Sequence, residues 1–431
     1  MKILCIGITK DNFYHFKNLI DRGFKLDIIT NNSILSKKWW NIYGYDDLKF
    51  NMIHEIDVSV IYANPANSWV DQINDLISFD YINDLVKAYD YDFIWPTWPD
   101  ERSDVWAKVL ENNNIKGITI EVAEKIKHKN LYLDEMKKIG INTPKIYFLL
   151  DPFASFESAD YSVRFPCIVK PVAGSGSRGI KIIENFNELK NFFSDEHRQV
   201  SGFQERSENG FKDIQYCCAN EKYIIQEYIK GQVLSVCGHI ANKKISFDMF
   251  FDIGTSALPF TAETEKSFPS TVSEPIKHKI KDDCERFLSH INLNNSPFMF
   301  DVIVSGEDYF FIDFGARVSS NALIYHSGET DYAFKLVKSL TENIPFQPNY
   351  SKASLLKTFD FQKGPIDDIT ISCDENLYEK LFLPIFEKQI FLPRNDVLAQ
   401  DNGFAITTGD TLEEAYEKFV KIKKSIEIKY F

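Results

Sequence analysis

Nowhere does the chain reach the roughly 18 uninterrupted apolar residues that a membrane-spanning helix needs. Nor is its charge basic: 49 Lys and Arg stand against 62 Asp and Glu, a formal net charge of −13. No run of Lys and Arg forms the patch or stripe of a general nucleic-acid binder. C-x-x-C pairs are missing. The seven cysteines are scattered, and the adjacent Cys217 and Cys218 suit neither a disulfide nor a zinc site. Reduced thiols of a cytosolic protein are the expectation. The first apolar run ends before Lys10 and Asp11, short of the roughly 7–15 residues of a secretory core, so a cytoplasmic location is expected. No internal repeat or low-complexity tract is found.

What is present suits a multidomain protein. A length of 431 residues, 44% hydrophobic and 14% aromatic, implies two or three cores. "KILCIGI" is a continuous apolar run, the mark of a strand buried on both faces. A helical "NFYHFKNLIDRG", a strand "KLDIITNN", an amphipathic stretch at 69–89, a strand "DFIWPTW", a helix at 101–112 and a strand "GITI" follow. That alternation predicts a parallel, doubly wound sheet. Its first strand-to-helix turn, "GITKDN", lacks the glycine-rich dinucleotide fingerprint. One helical segment is predicted from about 121 to Gly140, then strands around the helix "NFNELKNFF" up to "KYIIQEYI". Hairpins are predicted between 232 and 316, then a helix "DYAFKLVKSL", and last a helix opened by a capping box of Thr411 and Glu414. Domain boundaries are expected at 1–120, 121–228 and 229–431.

One stretch carries chemistry: "VKPVAGSGSRGIKI" at 169–182, with Gly174, Gly176 and Gly179 in the pattern G-x-G-x-x-G. It lacks the Gly-Lys-Ser/Thr ending of a Walker loop. It opens a β-branched strand rather than a helix, unlike a Rossmann turn. Its lysine, Lys170, precedes the glycines, whereas a kinase lysine follows them. A β-hairpin remains, with Lys170 on an apolar strand and a tip of Gly174, Ser175, Gly176, Ser177 and Gly179. Such a tip can aim several backbone N–H groups at one anion. A buried amine is costly without a partner, and a phosphate would supply one. The competing reading is an ordinary flexible hairpin whose lysine reaches solvent.

Asp301 and Asp313 lie on two apolar strands, "FMFDVIV" and "FFIDFGA", joined through "SGED". A three-residue loop, Gly306-Glu307-Asp308, would set the two acids opposite one another on one face, since side chains alternate along a strand. Facing carboxylates repel unless protonated or bridged by a cation, and hard oxygen ligands favour Mg²⁺, with Mn²⁺ as a substitute. The competing reading is a solvent-facing acidic hairpin. Arg317 follows four residues after Asp313. Its guanidinium suits a transferring phosphoryl group, or else a structural ion pair.

These segments, spanning about 120–321, together resemble the ATP-grasp superfamily, and the tail "GFAITTGDTLEEAYEKF" is similar to the end of its biotin-carboxylase-like and amino-acid-ligase branch. The resemblance implies an N-terminal Rossmann-like parallel-sheet domain, a small central lid domain and a larger C-terminal antiparallel-sheet domain, α/β and α+β in class. It implies ATP-contacting roles for Lys129 in "KHKNLYLDEMKKIGINTP" and for Lys170 and its glycine-rich tip. It implies an adenine-holding hinge at Gln226, Glu227, Tyr228 and Ile229, Mg²⁺ ligation by Asp301 and Asp313, and acyl-phosphate contacts by Arg317. Departures are plain. Val233 stands where an acid for ribose is usual, Asp313 replaces Glu, and Gly315 stands where an Asn ligand is usual, which makes Asn321 a candidate third ligand. "TAETEKSFPSTVSEP" is similar to a substrate-side element and points to Glu263.

The implied activity is ligation of a carboxylate to an amine, or to a thiol, through an acyl phosphate. Amino acids or other small metabolites are the expected substrates, and ADP and phosphate the by-products. A phosphotransferase and a low-turnover nucleotide sensor are the alternatives. The state of assembly is left open between monomer and homodimer. Trp95 and Trp98 of "WPTWP" would either line the crevice or pack the core, packing being favoured, and His239 and His326 are read as packing or surface residues.

Overall fold

In a computed structural model, residues 1–7, 12–31, 40–41, 43–56, 78–98, 100–150, 162–174, 180–193, 202–207, 210–215, 222–256, 263–319, 321–361, 364–383, 390–391 and 403–430 are described. The opening apolar runs form a four-stranded parallel sheet in the order Met52–Ile56, Lys25–Asn31, Lys2–Ile6, Phe93–Ile94. The chain moves outward from Lys2–Ile6 in one direction and then returns to its other side. The crevice at such a reversal, beyond the carboxyl ends of the strands, is where open α/β sheets bind ligands. Residues 95–98 leave the fourth strand there.

Two expectations for this region need correction. "GITI" is not a strand: Thr119 takes up an extended backbone and its Oγ1 accepts from Val122 N–H at 3.3 Å, capping a helix over Ile120–Ile126. Local capping outweighs the β-branched composition. The single helix from 121 to Gly140 is broken in two, because His128 is extended and a second helix, Lys129–Lys138, starts after it. Lys129 N–H donates to Val172 O at 2.8 Å, tying the restart to the end of the lysine strand.

The central sheet is antiparallel, in the order Ile146–Leu150, Tyr223–Glu227, Cys167–Pro171, Lys181–Ile183. Cys167–Pro171 and Lys181–Ile183 are the two arms of the expected hairpin, with Val169 opposite Lys181. Ser175, Gly176, Ser177 and Gly179 lie outside the described residues. An eight-stranded antiparallel sheet dominates the C-terminal part, edged by Asp308–Gly315 and then Ser296–Ser305 and Gln232–Ala241.

One hydrophobic core joins the first sheet to this edge. Leu4, Ile6, Trp98 and Trp106 cluster with Tyr132, Phe298, Phe300, Phe311 and Phe314, all buried. Phe300 and Phe314 rings lie 4.7 Å apart, and each buried aromatic contributes about 1.5–3 kcal/mol relative to exposure. Trp95 and Trp98 are therefore packing residues, at 0% and 3% exposure. His239 is likewise internal, bonded to Asp248 at 2.9 Å, and His326 packs edge-on to Tyr14. The last helix, Leu412–Lys424, begins as expected: Thr411 Oγ1 accepts from Glu414 N–H at 3.2 Å, and Glu414 reaches back to Asp410 N–H at 2.8 Å.

Candidate active site

Asp301 and Asp313 are paired across the edge hairpin, but not by the turn that was expected. The loop has two residues, Gly306 and Glu307, since Ser305 pairs with Asp308. Gly306 adopts φ +64°, where glycine carries no Cβ penalty. An even loop alone would place Asp301 opposite Ile312. A bulge between the pairs Val302–Phe311 and Asp301–Asp313 takes up one residue and restores the facing register. Phe311 and Phe314 both stay in the core as a result, and the acids share the other face.

Cations from two other parts of the chain converge on this hairpin. Lys129 Nζ donates to Asp313 Oδ1 at 2.9 Å and Oδ2 at 3.2 Å. Tyr132, one turn along the same helix, donates its hydroxyl to Asp313 Oδ1. Lys170, buried on its strand, donates through Nζ to the carbonyl of the bulged Ile312 at 3.1 Å. Burial works against the Asp313 charge, yet Lys129, Lys170 and the Tyr132 hydroxyl together hold its carboxyl below the ordinary range. Asp301 behaves oppositely. Burial, then the Asp313 charge, push it up to about 7. Its Oδ1 is buried with no hydrogen-bond partner. Lys170 is brought down to about 7 by burial and by the Lys129 charge, with Asp313 opposing.

Arg317 Nε donates to Asp100 Oδ2 at 3.2 Å, joining the hairpin's end to the segment that leaves the first sheet. Burial raises the Asp100 carboxyl to about 6, against the pull of Arg317. Burial opposes the Arg317 charge, but the Asp100 and Asp313 charges raise its pKa above the ordinary arginine value. Glu263 begins its strand beside Lys266, 3.2 Å away, and its charge is felt at Asp301.

At the hinge Gln226 is buried with Oε1 unpartnered, an open acceptor. Glu227 N–H is already given to Lys145 O at 2.9 Å, while Tyr228 and Ile229 continue as half-buried loop. Gly174, at φ +107°, bends the chain toward the undescribed tip. Asn321 is fully buried, its amide donating to Met249 Sδ and its oxygen accepting from Leu323 N–H. Among the described residues its side-chain bonds go to Met249 and Leu323 and to neither aspartate. Among the described residues no three His, Cys, Asp or Glu side chains stand close enough to enclose an ion by themselves.

Asp100 and Tyr132 were missed by the sequence reading. Tyr132 had a signal in its i,i+3 spacing from Lys129. Asp100 had none, being some 200 residues away from Arg317.

Residues 163–323 match the family model described as an ATP-grasp domain. That central stretch is where the likeness to an ATP-grasp domain lies. Among solved structures, L-amino acid ligase from Bacillus licheniformis superposes with a TM-score of 0.75 at 16% identity, covering 100% of this chain and 98% of that one. Biotin carboxylase from Campylobacter jejuni gives 0.69 at 13% identity over 99% and 92%. Both likenesses concern the ATP-grasp fold. In sequence, pyruvate carboxylase of Staphylococcus aureus is 22% identical over 288 residues, 64% of this chain. Carbamoyl-phosphate synthase of Methanobrevibacter smithii is 28% identical over 132 residues, 30% of this chain. The chain covers only 23% and 33% of the lengths of these two relatives.

Proposed function

We propose that this protein is an ATP-grasp enzyme, an ATP-dependent carboxylate–amine ligase of the amino-acid-ligase kind, that forms an amide or peptide bond and releases ADP and phosphate. The observation that carries the reading is the bond from Lys170 to the carbonyl of Ile312, which brings the central hairpin onto the paired acids. The resemblance in overall fold to an L-amino acid ligase over the whole chain supports the same substrate class.

Lys129 and Lys170 would hold the triphosphate, and the 174–179 tip would cover it. Gln226 would accept from the adenine edge through its open Oε1. Asp301 and Asp313 would hold a divalent cation: both are hard donors, and Asp301 has a buried oxygen with nothing bonded to it. When bound, it would neutralise the charge of acids and phosphates. A substrate carboxylate would then attack the γ-phosphorus, breaking its bond to the β,γ-bridging oxygen and releasing ADP. Arg317 would steady the acyl-phosphate oxygens, and the amine would displace phosphate with loss of a proton. Most of the rate gain would come from positioning and charge stabilisation, with water kept from the intermediate by the closed hairpin.

The test is ADP release screened over pairs of amino acids and small acids, with hydroxylamine added to trap an acyl hydroxamate. Turnover that needs both an acid and an amine, and a hydroxamate when the amine is omitted, are expected. A phosphorylated product with no hydroxamate would make the protein a kinase, and tight nucleotide binding without turnover a sensor.

A further inference from the structure

A recess opens beside the helix Asn12–Asp21, which follows the strand Lys2–Ile6. Phe13 and Tyr14, in the first turn of that helix, line it together with Tyr43. They follow the carboxyl end of Lys2–Ile6, one of the two strands between which the strand order reverses. The opposite wall is the eight-stranded sheet, where Lys380 pairs with Ile406 and Phe382 with Phe404. Side chains alternate along a strand, so Lys380 and Phe382 share a face. Leu381 between them packs on the other face, into the core under the last helix. Phe382 stacks on Phe404 at 5.2 Å and meets Tyr43 at 6.2 Å. The recess has about 350 Å³ of empty space, part of it open to solvent, toward the lower end of what small-molecule sites provide.

Lys380 is the only charged residue in this lining. It is half-buried, and among the described residues its amine makes no hydrogen bond or ion pair. Burial alone draws its pKa below the ordinary lysine range, with no nearby charge opposing. An ammonium that has lost water and gained no partner is costly. We propose that the recess is a binding site for a small organic acid, its single carboxylate on Lys380 and its flat apolar body against the rings of Phe13, Phe382 and Phe404. One cation matches one negative charge, whereas a phosphate dianion would leave charge uncompensated among apolar walls. The carboxylate forms a charge-assisted bond in place of the lost water, and the rings bury the body. Neither Lys129, Lys170 and Arg317 nor the paired acids line the recess, so the assignment stands independently of the ligase reading.

The experiment titrates phenylacetate into the full chain without nucleotide, read by calorimetry, beside 2-phenylacetamide, which has the same shape and no charge. Phenylacetate is expected to bind at least about tenfold tighter than the amide, as one charge-assisted bond contributes. Lys380→Met should remove that preference and leave amide binding unchanged. It should melt no lower than wild type, since it takes away an unpaired half-buried charge. Lys380→Arg should keep most of the preference. Equal affinity for acid and amide in the wild type, or a preference that persists in Lys380→Met, would overturn the site. No ATP is present, so neither result bears on the ligase screen, and a chain that fails that screen can still bind the acid.

Discussion

Lys170 of the central sheet and Ile312 of the edge hairpin are bonded, the amine of one to the backbone carbonyl of the other at 3.1 Å. Ile312 is the extra residue of the bulge that turns Asp313 to face Asp301. One irregularity thus sets the acid pair and offers the lysine its acceptor. Deleting Ile312 would leave a regular two-residue hairpin with Asp313 still opposite Asp301 and Phe311 and Phe314 still inward, but without that carbonyl. We expect a folded protein whose ADP release falls about a hundredfold, the usual effect of an ångström-scale misplacement. Unchanged turnover in the deletion variant would show that the bulge has no part in placing Lys170.

With Lys170 brought down to about 7 by burial and the Lys129 charge, most of its amine is neutral at pH 8. Phosphate oxygens favour the ammonium form, so nucleotide binding should draw close to about one proton from the buffer at that pH. Calorimetry in buffers of different ionisation enthalpy measures the uptake directly. Lys170→Met should abolish it, and equal heats in all buffers for the wild type would contradict the assignment.

Asp301 has its pKa raised to about 7, against an ordinary value near 4. A raised acid holds its proton more tightly folded than unfolded, so its contribution is present below about pH 4 and is lost as pH rises to about 7. Nucleotide-free protein should therefore lose up to a few kcal/mol of stability across that window, roughly, through this residue. Asp301→Asn should flatten the slope and melt higher than wild type at neutral pH. Denaturant melts at both ends of the window decide the matter; parallel curves for the two proteins would refute it.

Gly315→Ala tests the close approach of Asp100 without changing charge. The added methyl meets a carboxylate at 2.6 Å and must displace it from Arg317. Overpacking of this kind costs about 1–3 kcal/mol. Melting temperature and ADP release should fall together, and a variant melting as wild type would show that Asp100 moves aside freely.

Thr411→Ala serves as the distant control. It removes the Oγ1 bond to Glu414 N–H at 3.2 Å, a loss of about 1 kcal/mol for an N-cap. Stability should drop by that much while nucleotide affinity is unchanged; altered affinity would tie the last helix to the site.

Much of the site was legible because its pieces are local. An apolar strand bearing Lys170 before a glycine-rich tip, and two apolar strands each bearing an aspartate, are patterns of neighbouring residues, and the central hairpin and the acid pair follow from them. The turn length was not legible. "SGED" admits two- and three-residue loops, and the choice between them rests on keeping Phe311 and Phe314 in a core whose other side, Trp98 and Trp106, comes from residues some 200 positions earlier in the chain. "GITI" misled for a related reason: a β-branched run was overridden by one hydroxyl cap at Thr119.

The sequence by itself determined the periodicities, and with them the elements, the buried lysine and the acids, since those depend on residues a few positions apart. Only the tertiary structure decided that Lys129 and Tyr132 hold Asp313, that a bulge corrects the register, and that Asp100 stands in the space above Gly315. The physical reason is that electrostatic and steric interactions act through space. A glycine shows what it makes room for only when the segment that fills the gap has been folded against it.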